Sequence, residues 1–167
     1  TLAAANTISQ SRRTAVVSAV EKVQPAVVSI HVTTSVRSLR SYRLRDPFWD
    51  FFSPFYYVVP EHSERPSTGS GFIINSEGYI LTNDHVVGGD MKQERRIVVS
   101  LPQPDGRTLE ARYIASDIGS DLAVLKVEAQ GLPVAPLGNS NDILVGEWAI
   151  AIGNPFDLGP TVSIGVI

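Results

Sequence analysis

The feature that most constrains the fold of this chain is a series of short apolar runs separated by turn residues. No helix of crossover length is predicted between them. The runs cover residues 26–34, 71–74, 79–82, 97–101, 108–115, 122–127, 147–152 and 161–167. Because parallel strands need long crossover connections, this spacing predicts an antiparallel sandwich or barrel. We therefore expect an all-β fold with one short helix at 14–23, where valines recur at helical spacing ahead of Pro25.

The segment 36–67 interrupts this rhythm of strands. It begins with four arginines between positions 37 and 45, continues with a cluster of aromatic residues from Phe48 to Tyr57, and contains four prolines. Long insertions between strands are usually functional or disordered. The prolines predict that this one is not a single regular element. Its aromatic rings should cover a surface, either on the chain's own barrel or on another chain.

Composition excludes several kinds of chemistry. The 167 residues have a formal net charge of −3 and no cysteine, which excludes disulfides, thiolate catalysis and cysteine zinc sites. A charge so near neutral gives no support to nucleic-acid binding, and no apolar run approaches the ~20 residues of a membrane-spanning helix. Neither a metal nor a cofactor is predicted, since His31 and His62 have no partner at ligand spacing.

Two polar residues stand where a rigid scaffold of strands would present them. His85 lies just past the run 79–82, and Asp121 opens the run 122–127. Taken singly, His85 can be read as a structural histidine, and Asp121 can be read as an aspartate that shapes a turn. Together, a carboxylate buried against the imidazole would accept the Nδ1 hydrogen and leave Nε2 free as a general base. His85 and Asp121 are therefore the candidate catalytic residues.

No serine in the chain matches the pattern of a nucleophile. Ser70, between Gly69 and Gly71, runs into a strand and lacks the strand–turn–helix context of a nucleophile elbow. Ser140 lacks the two following glycines that would let backbone amides converge on an oxyanion, and Ser163 belongs to an alternating strand. The residues alone leave the third catalytic group unassigned.

Several motifs follow one another in fixed order along the chain. They are Gly-Ser-Gly-Phe-Ile-Ile at 69–74, Gly-Tyr-Ile-Leu-Thr-Asn-Asp-His-Val-Val at 78–87, Ser-Asp-Leu-Ala-Val-Leu-Lys-Val at 120–127 and Gly-Glu-Trp-Ala-Ile-Ala-Ile-Gly-Asn-Pro-Phe at 146–156. In this order they resemble the HtrA/Deg family of serine endoproteases, which have a chymotrypsin-like fold. The resemblance implies that His85 is the general base and Asp121 the acid that orients it.

The resemblance also implies a double β-barrel with the active site between the barrels. Residues 14–135 would form the first barrel and 136–167 the start of the second, after a flexible segment at 1–13. The segment 36–67 would be a regulatory-type loop. The nucleophile, in a Gly-Asn-Ser-Gly-Gly-Pro motif, would lie beyond Ile167, so we expect the chain alone to be inactive.

The implied partners are unfolded or damaged polypeptide substrates and further copies of the chain, in a trimer or its multiples. Nucleic acid and a membrane span are not expected. The implied location is extracytoplasmic and periplasmic, with an organelle as the alternative. A different interpretation is a non-catalytic, chaperone-like or regulatory binding module of the same fold, which keeps His85 and Asp121 as relics. A Gly-x-Ser-Gly-Gly motif soon after Ile167 would favour the protease.

Overall fold

A computed structural model describes residues 12–43, 56–88, 94–154 and 159–167. It contains helices α1 (Ala15–Val23) and α2 (Asp84–Val87) and strands β1 (Val27–Arg43), β2 (Tyr56–Ile73), β3 (Tyr79–Thr82), β4 (Glu94–Ser100), β5 (Thr108–Asp117), β6 (Leu122–Val127), β7 (Trp148–Gly153) and β8 (Thr161–Val166). Each of the eight predicted runs overlaps one of these strands. No helix in this part of the chain is long and apolar enough to cross a membrane.

Helix α1 starts and stops where the sequence predicts. The Thr14 hydroxyl accepts a hydrogen bond from the backbone N–H of Val17 at 3.3 Å and so caps the first turn. A 3₁₀ turn, Gln24–Ala26, with Pro25 in its first turn, follows the helix. The chain then enters β1.

Six antiparallel strands close into a barrel in the order β1-β2-β3-β6-β5-β4, with β4 pairing back onto β1. Closure satisfies the backbone groups that an open sheet would leave at its edges. The two remaining strands, β7 and β8, pair with each other in a separate sheet. The predicted architecture is confirmed: all-β, with a complete first barrel and the opening strands of a second sheet.

The barrel core follows from the alternation of side chains along each strand. Successive residues of a strand point to opposite faces, so one set faces inward. The fully buried side chains include Val28, Ile30, Val32, Ile73, Ile80, Val99, Leu125 and Val127. Burial of each such side chain contributes about 1.5–3 kcal/mol, which makes the barrel the rigid part of the molecule.

The prediction that the segment 36–67 breaks the strand pattern is wrong for its two arms. Strand β1 continues to Arg43 and β2 begins at Tyr56, and the two pair without interruption along this length. Within the described residues, β4 accompanies β1 only from Ser29 to Ser35, so the rest of the hairpin is a two-stranded ribbon. Such a ribbon tolerates proline where the missing N–H would point outward. The aromatic residues 48–55 lie outside the described residues, as does most of the segment 1–13.

Candidate active site

His85 lies at one end of the barrel, in the four-residue helix α2 that follows β3. Val86 and Val87 are buried in the barrel core and hold this helix in place. Gly88 ends the helix in the left-handed conformation, with φ of 80°, and its N–H donates to the Asp84 carbonyl at 3.1 Å. The histidine therefore stands on a fixed turn while its side chain projects from the barrel wall.

Asp121 lies in the turn between β5 and β6. Its φ of 52° is the only positive value at a non-glycine among the described residues. The Asp117 carboxylate shapes this turn by accepting from the Gly119 N–H at 3.0 Å and from the Ser120 hydroxyl at 2.6 Å. A left-handed conformation costs a residue other than glycine about 1–2 kcal/mol, so contacts around it must hold it there.

Strand pairing brings the two residues together although they are 36 positions apart in the chain. Strands β3 and β6 are antiparallel neighbours, with Thr82 opposite Ala123. The residues that follow β3 therefore lie beside those that precede β6. This register places helix α2 next to the β5–β6 turn.

The carboxylate of Asp121 engages His85 at two points. The ring Nδ1 lies 2.7 Å from Oδ2, and the backbone N–H of His85 donates to Oδ1 at 2.9 Å. Since the carboxylate accepts the Nδ1 hydrogen, the neutral ring carries its lone pair on Nε2, at the edge that points away from Asp121. The two candidate residues thus meet in the arrangement a general base requires.

Asn83 is a third member of the site, and in the sequence it stands out only as part of the motif at 78–87. Its Nδ2 donates to the backbone carbonyl of Asp121 at 3.0 Å and to Oδ2 at 3.3 Å. One amide thus binds both the main chain and the side chain of the aspartate. The available signal was an amide residue two positions before the candidate histidine.

The hydrogen bonds at Asp121 set its charge. The backbone N–H of His85 is the largest influence that lowers the pKa of Asp121, followed by the His85 ring, with a smaller contribution from the Asn83 amide. A carboxyl with a lowered pKa is ionised at neutral pH. It can therefore stabilise positive charge on the adjacent ring.

The prediction that the pair is buried is wrong for this chain. The side chain of His85 is 71% exposed and that of Asp121 is 45% exposed. Both residues stand on connections that leave the barrel wall, helix α2 and the β5–β6 turn, so the described residues cover only one side of them. Beside the pair lies a cavity of about 300 Å³ between the barrel and β7, lined in part by Asn83, Leu122 and Ile152.

The three serines considered from the sequence lie in different surroundings. The hydroxyl of Ser70 accepts a hydrogen bond from the Asn154 N–H at 2.9 Å. Ser140 begins an exposed 3₁₀ turn, Ser140–Asp142, and Ser163 lies on the exposed strand β8. Within the part of the chain that the structure describes, none of the three is hydrogen-bonded to the His85 ring.

The family model of the trypsin-like peptidase domain matches residues 69–167. A Synechocystis protein named as serine protease HhoA is 46% identical over 155 residues, which cover 91% of this chain and 38% of that protein. A Hahella chejuensis protein named as a DegP-like periplasmic serine endoprotease is 46% identical over 156 residues, which cover 89% of this chain and 32% of that protein. The chain thus spans about a third of the length of these relatives.

Solved structures of serine proteases are also similar to this chain. The HtrA-type protease AlgW with a decapeptide is 37% identical, with a TM-score of 0.64, and the match covers 92% of this chain and 45% of that one. The serine endoprotease from Yersinia pestis is 34% identical, with a TM-score of 0.62, and the match covers 93% of this chain and 44% of that one.

Proposed function

The chain belongs to the trypsin-like peptidase family, among its HtrA/DegP serine proteases, and on this premise we propose that the full-length protein is a serine endopeptidase with His85 as general base. The observation that carries this proposal is the two-point contact between His85 and Asp121, at 2.7 Å and 2.9 Å. The fold is the all-β chymotrypsin-like fold of these proteases. In it, the pair stands at the end of the barrel, next to the cavity that the adjacent residues Asn83 and Leu122 help to line.

The chemistry of the pair follows from its geometry. Nε2 of His85 takes the proton of a serine hydroxyl as the serine oxygen forms a bond to the peptide carbonyl carbon. The ionised Asp121 stabilises the imidazolium so formed and holds the ring orientation. The imidazolium then returns its proton to the leaving amine as the peptide C–N bond breaks, which leaves an acyl-enzyme. Water, activated by the same nitrogen, hydrolyses the ester.

The proposal assigns two further groups to residues outside this sequence. The attacking serine and the backbone amides that hold the oxyanion would come from the continuation of the second barrel after Ile167. On this assignment the 167 residues alone do not hydrolyse peptides. The support for it is that, among the described residues, none of Ser70, Ser140 and Ser163 is hydrogen-bonded to the His85 ring.

Substrates, location and assembly follow from the relatives. One solved relative is described with a decapeptide, and we propose polypeptides, above all unfolded or damaged ones, as substrates. Curated relatives are named as periplasmic, and we propose an extracytoplasmic, periplasmic location. Assembly into a trimer or its multiples is proposed on the family resemblance alone.

The test is His85→Ala in the full-length protein. We expect casein hydrolysis to fall by about 10⁴-fold or more, because no other group then removes the hydroxyl proton. Labelling by a fluorophosphonate should be lost in parallel, with the unfolding midpoint unchanged since the side chain is exposed. His31→Ala, at a histidine in β1 whose register partners are Thr68 and Val98, is the matched control and should keep its turnover.

Retained hydrolysis in the His85→Ala protein would refute the assignment. So would a wild-type protein that binds unfolded casein and never cleaves it, which would favour the non-catalytic binding module.

A further inference from the structure

The residue that immediately follows β7, Asn154, is held by two serine hydroxyls of the barrel. The Ser29 hydroxyl donates to the Asn154 carbonyl at 2.6 Å, and the Ser70 hydroxyl accepts from the Asn154 N–H at 2.9 Å. Ser29 and Ser70 are direct partners in the register of β1 and β2. Paired positions on neighbouring strands project to the same face, so the two hydroxyls can reach one residue together.

This contact fixes the end of β7 on the barrel. Asn154 has both of its main-chain polar groups bonded to side chains of the barrel, and both it and Ser29 are buried. A buried amide or carbonyl without a partner is costly, so the position of Asn154 depends on these hydroxyls. The Asn154 side chain in turn accepts from the Gly159 N–H at 3.2 Å, and Gly159 lies two residues before the start of β8.

Ser70 also makes a hydrogen bond on the side of the barrel that carries the candidate active site. Its backbone carbonyl accepts from the Thr82 hydroxyl at 2.8 Å. Thr82 ends β3 and directly precedes Asn83, whose amide binds Asp121. Hydrogen bonds thus join Asn154 to Ser70 and Ser70 to Thr82, and the peptide bond after Thr82 leads to Asn83, which binds Asp121.

The glycines on either side of Ser70 make this part of the barrel tight. A Cβ at Gly69 would lie 2.6 Å from both methyl carbons of Val86, the residue that follows His85. A Cβ at Gly71 would lie 2.8 Å from the Leu81 carbonyl oxygen. Since neither glycine has room for a methyl group, β2 lies in direct contact with helix α2 and with β3 on the two sides of Ser70, and a displacement at Ser70 is passed on to the turn that carries His85.

We propose that Ser70 is a positioning residue, which couples the β7–β8 sheet to the His85–Asp121 pair. This inference rests on the proposed function, because the coupling matters only if the pair acts on groups attached to the second sheet. On this proposal the Gly-Ser-Gly motif at 69–71 has a positioning role and does not supply the nucleophile. Ser70 supplies the link, and its neighbours supply the close packing.

The test compares Ser70→Ala with Ser70→Thr in the full-length protein, with Ser76→Ala as the matched control in the exposed β2–β3 turn. Two quantities are measured well below the unfolding midpoint: the rate of fluorophosphonate labelling, and hydrogen exchange of the peptide that contains Asn154. For Ser70→Ala we expect labelling to slow and Asn154 exchange to quicken, each about tenfold. Ser70→Thr keeps a hydroxyl and should restore both to within about twofold of wild type, while Ser76→Ala changes neither.

Two results would overturn the coupling. One is unchanged labelling in Ser70→Ala despite faster exchange at Asn154, and the other is equally slow labelling in Ser70→Thr. The proposed function fails differently, through wild-type labelling that does not depend on His85. In that case the exchange data still decide whether Ser70 holds Asn154.

Discussion

The closed barrel and the β7–β8 ribbon contain the same kind of sequence and have opposite environments. The first part of strand β1 and strand β8 both alternate, with apolar residues at every second position, 28, 30 and 32 in β1 and 162, 164 and 166 in β8. In β1 Ile30 is fully buried, whereas in β8 Ile164 is 58% exposed. The two patterns are equivalent when read along the chain, and only the surroundings of the strands differ.

The difference shows what an alternating strand needs in order to bury one face. Each barrel strand has a neighbour on both sides, and the inward faces of six strands pack against one another. The ribbon has only the pairing between β7 and β8 within the described residues, and a two-stranded sheet alone is marginal in water. Its attachment to the barrel includes the hydroxyl contacts at Asn154. The candidate catalytic pair accordingly stands on the rigid barrel.

The largest expected effect is on the rate of catalysis, with the packing of the barrel left intact. In the full-length protein, Asp121→Asn should lower kcat by about 10⁴-fold, because an amide in place of the carboxylate favours the wrong tautomer of His85. The measurement is steady-state peptide hydrolysis, with circular dichroism to verify the fold. A rate within about tenfold of wild type would mean that Asp121 only shapes its turn.

The next test compares a core residue of the barrel with an exposed apolar residue of the β7–β8 ribbon. In the 167-residue chain, Leu125→Ala should lower the free energy of unfolding by about 2–5 kcal/mol, since it leaves a cavity in a closed core. Ile164→Ala should cost less than about 1 kcal/mol, because its side chain is already largely in water. Urea denaturation measures both. Equal losses would mean that the ribbon packs as well as the barrel does.

Two glycines make the same comparison at the level of single methyl groups. Gly69→Ala forces a methyl against Val86 and should destabilise the barrel by about 1–3 kcal/mol. In the ribbon, a Cβ at Gly165 meets nothing within 4 Å, so Gly165→Ala should stay within about 0.5 kcal/mol of wild type. Thermal unfolding distinguishes the two variants. A neutral Gly69→Ala would show that helix α2 can shift freely.

The smallest expected effect is on the unfolding midpoint at acidic pH. In the β5–β6 turn, hydrogen bonds from Ser120 and Gly119 lower the pKa of Asp117, and those from His85 lower the pKa of Asp121, both from an ordinary value of 3.8. Groups with a lowered pKa stabilise the fold above the ordinary value, and this contribution is lost as pH falls below 3.8 through the folded-state pKa. The unfolding midpoint should therefore drop in that range.

Asp117→Asn tests this pH dependence. The variant should have a slightly lower midpoint at neutral pH and a shallower fall in acid, because one of the two shifted carboxyls is gone. Titration of the midpoint between neutral and acidic pH measures it. A steeper fall than in wild type would contradict the linkage.

Most of the fold was predictable from local signals. The eight runs and their turns follow from alternation and from turn residues such as Asp105 and Gly106, which act over a few positions. The arms of the segment 36–67 were not predictable in the same way. Proline argues against a strand in general, and only the pairing of β1 with β2 shows that the outer part of the hairpin is a ribbon that tolerates it.

The candidate site was also predictable only in part. His85 and Asp121 could be named because a histidine and an aspartate at strand ends form a recognisable chemical pair. Asn83 and Ser70 could not be assigned their contacts, since each depends on which strands become neighbours. The exposure of the pair was also beyond local reasoning, because it depends on what covers the end of the barrel.

The sequence by itself determined the strands, the turns and the identity of the two residues that can share a proton. These properties depend on the spacing of side chains along a few residues of backbone. The tertiary structure alone decided that β3 lies beside β6, that Asn83 binds Asp121 and that Ser29 and Ser70 hold Asn154. Such contacts join residues 38 to 125 positions apart, so they form only when distant segments of the chain pack together.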